Sequence, residues 1–232
     1  MVQKSAAKRG RPRAYDPDTA LAQAMAVFWD AGFAATSLDD ITAGTGMNRP
    51  SLYGAFGDKQ ALYRHALERY RAMARAALQE TLRHDRPLRD GVRAVYERAL
   101  SLYYSGTHGP RGCFLIGTAL TEAVLDAEVR ETLAAGLHEI DDAFAARMRV
   151  AQLQGELPGD ADPAILAKLA SAVLHTLAIR SRAGEQRTAL QAIVEPALDL
   201  ICGPPRPAIP RPAAREPGNR KPGRPNTNPR TY

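Results

Sequence analysis

The chain has 232 residues, 45% of them hydrophobic, with two cysteines and a formal net charge of +6. That length and apolar content support a sizeable buried core, while Cys113 and Cys202, which belong to no CxxC pair, predict free thiols rather than a disulfide framework or a zinc site. No apolar run reads as a membrane span and residues 1–13 lack the apolar stretch of a secretory signal, so a cytoplasmic location is expected.

The charge is unevenly placed. Residues 1–13 carry five basic residues (Lys4, Lys8, Arg9, Arg11, Arg13) and no acid, and residues 203–232 carry seven basic residues against Glu216 alone. Residues 14–202 are left with nineteen basic and twenty-four acidic residues, a net charge of −5. Positive ends on an acidic body point to a localised grip on phosphate rather than a general nucleic-acid coat.

Helical spacing recurs through almost all of residues 16–202 and no stretch alternates like a half-buried strand, so the fold is expected to be all-α. A first helix starts at Asp16-Pro17, a capping carboxylate followed by a proline in the first turn; it buries Leu21, Met25 and Phe28 and stops at Gly32. Thr36-Ser37 opens a second, short helix, with Ser37 as cap, Asp40 completing a variant capping box, and Leu38 and Ile41 facing inward. Gly44-Thr45-Gly46 ends it. Asn48 caps a third helix with Pro50 in its first turn and Leu52 and Phe56 as anchors. A long fourth helix from Asp58 carries Leu62, Ala66, Tyr70, Met73, Ala77 and Leu82 on its apolar side. Further helices are expected at 87–105, 112–125, 127–151, 162–183 and 186–202, with Pro196 kinking or breaking the last. From Gly203 onward, nine prolines in thirty residues predict a disordered or polyproline tail.

Three short helices over residues 16–56, with a glycine-bearing turn between the second and third, form an arrangement in which the later helix can enter a DNA major groove. Once Leu52 and Phe56 are buried, that helix presents Arg49, Ser51, Tyr53, Gly54 and Ala55: a guanidinium, two hydroxyls and two small residues suited to base edges and phosphates. Taken singly, Tyr53 reads as a ring packed between helices and Arg49 as a solvated surface charge. The stretch TSLDDITAGTGMNRPSLYGAFGDKQALYRHAL, with Thr36, Leu38, Ile41, Gly46, Leu52-Tyr53, Phe56, Lys59 and Leu62 in register, resembles the tetracycline-repressor (TetR) family of bacterial regulators over about residues 9–75. RGCFLIGTALTEA at 111–123 is similar to a helix start in one branch of that family. The resemblance implies that Arg49, Pro50, Ser51 and Tyr53 face an operator and that Thr36 and Lys59 meet its phosphates. It also implies a homodimer, most often a repressor, released from DNA by a small molecule.

The arm Lys8-Arg9-Gly10-Arg11-Pro12-Arg13 matches the core of an AT-hook, in which Arg9, Arg11 and Arg13 lie along a narrow A·T-rich minor groove; the alternative is a solvated basic tail acting through counterion release. Lys221-Pro-Gly-Arg-Pro225 is a weaker echo, read as plain disorder. The domain organisation expected is an arm (1–13), a helix-turn-helix domain (14–60), a helical ligand-sensing and dimerisation domain (61–202) and a Pro-rich tail (203–232). Ile165, Leu169, Val173, Leu174 and Leu177, with Leu190, Ile193, Val194, Leu198 and Ile201, give the last two helices enough apolar surface for an intersubunit four-helix bundle.

A ligand pocket in the larger domain is expected to draw on Tyr96, Tyr103, Cys113, Phe114, Thr118, Glu122, His138 and His175. The bland reading is the commoner one for each: the histidines as hydrogen-bonded core or surface residues, Glu122 as a solvated charge, Cys113 as an inert buried thiol. Cys113, at a helix start, is alternatively a sensor with a lowered pKa, and His108 stands near enough in sequence to share a soft metal with it, although two ligands make no site. No cofactor or metal is expected. No P-loop, GxGxxG, HExxH or GxSxG pattern suggests an enzyme. The competing reading is an architectural protein that binds A·T-rich DNA through its basic ends.

Overall fold

The computed structural model describes residues 15–204; the arm with Arg9, Arg11 and Arg13, and the tail from residue 205, lie outside the described residues. Every regular element among the described residues is a helix, and most begin at the side-chain cap the sequence offers. In α1 (Pro17–Ala31) the Asp16 carboxylate accepts from the Thr19 N–H at 2.9 Å and Pro17 fills the first turn. In α2 (Leu38–Thr45) the Ser37 hydroxyl accepts from the Asp40 N–H while the Asp40 carboxylate accepts from the Ser37 N–H, which satisfies two orphan donors reciprocally. Asn48 caps α3 (Arg49–Phe56) and Asp58 caps α4 (Lys59–Thr81) in the same manner.

The larger domain continues with α5 (Leu88–Tyr103), α6 (Phe114–Glu122), α7 (Ala127–Leu153), α8 (Pro163–Arg182) and α9 (Arg187–Cys202). Helix α8 is the hub, packed against α5, α6, α7 and α9, and α4 runs between the two halves, touching α1 on one side and α5, α6 and α7 on the other. One core therefore extends from Phe28 and Ile41 to Leu198 and Ile201.

Three expectations need correcting. Met73 is 52% exposed; the apolar side of α4 advances by steps of four from Tyr70 to Ala74 and Leu78, which turns Met73 to the outside. Of the two outcomes expected at Pro196, the break does not occur: α9 runs on to Cys202, because Pro196 sits on the exposed side, where water can take the carbonyl its missing N–H leaves. Lastly, α8 is long and apolar enough to cross a membrane by length and composition, the one such helix among the described residues. Much of that apolar surface packs inside the domain, through Ala167, Ala170, Leu174, Leu177 and Ala178. An outer stripe of Ile165, Leu169 and Ile179 stays exposed at 59%, 49% and 55%.

Asp126 ties the start of α7 to α4. Its carboxylate accepts from Gln60, from the Arg64 guanidinium at 2.9 Å and from the N–H groups of Glu128 and Val129. These partners, Gln60 foremost, hold its pKa down at about 2 from an ordinary 3.8. A carboxylate acidified by folding stabilises the fold at pH values above its unfolded pKa and loses that contribution as the pH falls through the folded one. Asp126→Asn should therefore cost about 1–2 kcal/mol at neutral pH and flatten the stability profile between pH 4 and 2, as read by denaturant melts; an unchanged acid limb would contradict this.

Candidate functional site

The α2–α3 pair is built to expose one side of a short helix. Gly46 closes α2 in the left-handed region at φ 65°, a conformation that costs other residues about 1–2 kcal/mol, and so reverses the chain within three residues. Asn48 then caps α3 by accepting from the Ser51 N–H at 2.9 Å. Leu52 is buried and Phe56 packs against the core, which fixes the rotation of α3 and turns Arg49, Pro50, Tyr53 and Gly54 outward, with Ser51 half-buried at the edge. Arg49 reaches across to Asp39 of α2 at 2.7 Å in an exposed pair, which holds the guanidinium over the shallow groove between the two helices. Exposed pairs are worth about 0–1 kcal/mol, so an incoming acceptor displaces Asp39 cheaply.

Thr36 and Lys59 flank this face differently. The Thr36 side chain is buried and its hydroxyl donates to the Gly32 carbonyl at 2.6 Å, so it secures the chain entering α2. Lys59, in the first turn of α4, lies 4.3 Å over the Phe33 ring. Residues 15–60 hold Asp16, Asp18, Asp30, Asp39, Asp40 and Asp58 against only Arg49 and Lys59 as cations. The body of this module thus repels a polyanion except at two points.

A cavity of about 110 Å³ lies in the larger domain between α4, α5, α6, α7 and α8. Its walls are apolar, from Leu78, Val95, Leu115, Ile116, Ile140 and Leu174. The floor carries Tyr103, Tyr70 and Cys113, with the Tyr70 hydroxyl donating to Cys113 Sγ at 3.2 Å. Arg71, Arg75, Arg98 and Glu139 are the charged residues of its lining.

Residues 20–66 match the family model described as bacterial regulatory proteins, tetR family, and residues 87–196 match the tetracyclin repressor-like C-terminal domain. The chain is 30% identical over 192 residues to the HTH-type transcriptional repressor ComR of Escherichia coli (strain K12), across 83% of this chain and 91% of that one. The chain belongs to the TetR family. Another relative of this TetR-family regulator is the HTH-type transcriptional regulator YezE of Bacillus subtilis (strain 168), 26% identical across 83% of this chain and 99% of that one. Among solved structures, a cysteine-substituted form of the TetR-family regulator CifR in complex with 26-bp double-strand operator DNA superimposes with a TM-score of 0.74. That CifR chain is 36% identical, over 82% of this chain and 98% of its own.

In this TetR-family chain the two halves meet at a joint that pattern reading missed. Trp29, at the end of α1, donates from Nε1 to the Gly112 carbonyl at 3.0 Å, and its ring meets Tyr70 edge-on at 4.9 Å and Phe114 at 5.7 Å. The Arg111 guanidinium lies 3.9 Å over the same indole, and Arg182 from α8 donates to the carbonyls of Trp29 at 3.0 Å and Arg111 at 2.8 Å. Tyr63 completes the joint, edge-on to Phe28 and Phe114, with its hydroxyl 2.8 Å from that of Thr118. The readable signals were the chain's single tryptophan and, far along the chain, the Arg111-Gly112 turn, but nothing local says the two should meet.

Of the residues read as pocket lining, Tyr103 and Cys113 line the cavity. Phe114 and Thr118 belong to the joint instead, because their side of α6 faces Trp29 of α1 and Tyr63 of α4, while Leu115 and Ile116 turn to the cavity. Tyr96 is buried against α8 with its hydroxyl donating to the Ala170 carbonyl at 3.1 Å, and Glu122 ends α6. His138 is exposed on α7, and His175 lies on α8 near Asp141, its Nε2 buried and unpartnered. The lowered pKa entertained for Cys113 is corrected: burial pushes the thiol up and outweighs the hydrogen bonds at the start of α6. Among the described residues no cluster of three or more His, Cys, Asp and Glu stands ready for a metal, and exposed His108 brings no third ligand to Cys113.

Proposed function

We propose that the chain is a cytoplasmic homodimeric repressor that reads a palindromic operator with α3 and releases it when a small molecule enters the cavity beside α4. The observation that carries this reading is the outward side of α3, where Arg49, Ser51 and Tyr53 stand on a capped helix anchored by Leu52. The guanidinium suits a guanine edge, the hydroxyls suit bases or phosphates, and Pro50 and Gly54 allow close approach. Lys59 meets a phosphate from the start of α4, whereas Thr36, implied as a phosphate contact by the family resemblance, is buried and bonded to the Gly32 carbonyl and serves only to hold the chain entering α2. Because the module has so few cations, Arg9, Arg11 and Arg13 supply much of the phosphate attraction from an A·T-rich minor groove. Deleting residues 1–12 is expected to weaken binding more on A·T-rich than on G·C-rich flanks; equal loss would leave only a non-specific basic arm.

The exposed stripe of Ile165, Leu169 and Ile179 on α8, with Leu200 at 82% exposure on α9, supports pairing with a second copy in a four-helix bundle. Such a bundle sets the separation of the two α3 helices, which must be about 34–36 Å to enter successive major grooves. Release follows from a population shift, since Tyr70 and Cys113 line the cavity while Tyr70 also seats Trp29. In a gel-shift series, Arg49→Ala should weaken operator binding by about 1–3 kcal/mol in a sequence-dependent way, and Lys59→Ala should weaken it on every sequence. If neither substitution changes affinity, α3 is not the reading helix.

A further inference from the structure

We infer that the molecule this cavity accepts is a small organic monoacid: a single-ring or short-chain apolar body inside, with its carboxylate at the mouth between Arg75 and Arg98. This inference rests on the proposal that the cavity is the effector site, and adds the chemistry of the effector. Size is the first constraint. An apolar cavity of about 150 Å³ takes up benzene, so a pocket of about 110 Å³ that opens at one end holds a body of about six carbons with its polar end outside.

Charge is the second constraint. The lining holds three guanidiniums and a single carboxylate, so an ammonium ligand would meet net repulsion at the mouth. Glu139 is shared at 3.4 Å by Arg71 and Arg75, and Arg71 has a second partner in Glu68 at 3.0 Å. Arg75 therefore has one long contact and a half-exposed side chain, and it is the guanidinium least committed to the protein. Arg98, equally exposed on α5, pairs outward with Glu80. A carboxylate at this mouth gains a bidentate pair of hydrogen bonds and full charge attraction from a guanidinium, which an amide of the same shape, with one acceptor oxygen and no charge, does not.

The floor fixes the orientation. Tyr103 is 4% exposed and its hydroxyl makes no hydrogen bond to the described residues, while the Tyr70 hydroxyl is spent on a sulfur. Burial raises the pKa values of Tyr70, Tyr103 and Cys113 alike, which marks surroundings that disfavour an anion. The charged end thus stays at the arginines, and the floor accommodates hydrogen, alkyl or a neutral hydroxyl or carbonyl on the far side of the ring.

The test is calorimetric titration of the full chain with benzoate, phenylacetate and hexanoate, beside benzamide and benzylamine, with dissociation of an operator recovered by selection followed in parallel. The acids should bind about tenfold or more tighter than benzamide, and benzylamine should be weakest. Joint replacement of the half-exposed Arg75→Gln and Arg98→Gln should remove the preference, bringing benzoate affinity down to that of benzamide for the same variant. The inference is overturned if benzamide matches benzoate, if benzylamine binds best, if the double variant keeps the preference, or if no acid binds; the wild-type comparison stands even if the variant misfolds. Acids that bind without releasing DNA would leave the ligand class standing and remove the operator-release reading. Release by the neutral probe alone would do the reverse.

Discussion

Trp29→Ala is expected to destabilise the protein by about 3–5 kcal/mol, the range for removing a large buried aromatic side chain. Trp29 is 3% exposed and is the point where α1, the Gly112 turn, α4 and α6 converge. Truncation opens a cavity between the halves and leaves the Gly112 carbonyl without its donor, with Arg111 and Arg182 losing the indole and the backbone geometry they grip. Trp29→Phe separates the two contributions, because it keeps most of the ring and deletes the N–H. That variant should lose about 1–3 kcal/mol, with operator affinity falling more than its stability alone predicts, since the seat of α1 and not its fold is altered. Denaturant melts paired with operator titration at a temperature where each variant is folded make the measurement. A loss below about 1 kcal/mol for Trp29→Ala would mean that the halves are held elsewhere.

Gly112→Ala should be nearly as damaging for a different reason. A Cβ there would lie 2.6 Å from the Ala178 carbonyl oxygen and 3.2 Å from Arg182 Cβ, both on α8, and backbone cannot swing aside as a side-chain tip can. The residue also sits at φ +63°. Left-handed strain of about 1–2 kcal/mol adds to overpacking of about 1–3 kcal/mol, and the shift needed to relieve the clash breaks the Trp29 bond. Gly46→Ala is the internal control, because its φ of +65° is almost the same and nothing lies within 4 Å of the added carbon. The difference between the two melts isolates the contact with α8. Equal losses would show that conformation alone, and not close approach, requires glycine at position 112.

The caps and breakers made the helices readable. Asp16-Pro17, the Ser37/Asp40 box, Asn48 and Asp58 lie within one turn of what they cap, so their chemistry is local and set the starts of the first four helices. The side of α3 that faces out was largely legible, because Leu52 and Phe56 left little choice of rotation, although Ala55, read as part of that face, is half-buried and packs against the core. Met73 was not, since steps of three and four from Tyr70 are both helical and only the neighbouring helices choose between them. The cavity was harder still. Phe114, Thr118, Tyr96 and His175 share its general neighbourhood in sequence, yet a rotation of about 100° per residue along a helix sends adjacent side chains to different compartments. The mouth arginines went unnoticed because Arg71, Arg75 and Arg98 look like solvated charges until α4, α5 and α7 come together around them. The Trp29 joint depends on contacts to Arg111, Gly112 and Phe114, more than eighty residues away, which no local pattern encodes.

The most direct measurement is selection of bound DNA from a random pool by the full chain at a stated salt concentration, repeated with Arg49→Ala. A dimer that reads base edges with α3 should enrich a palindrome whose half-sites are centred about one helical turn apart, and the substitution should relax the preference at a base pair in each half. Recovery of A·T-rich DNA without symmetry, or a palindrome that Arg49→Ala leaves untouched, would contradict the placement of α3 in the major groove.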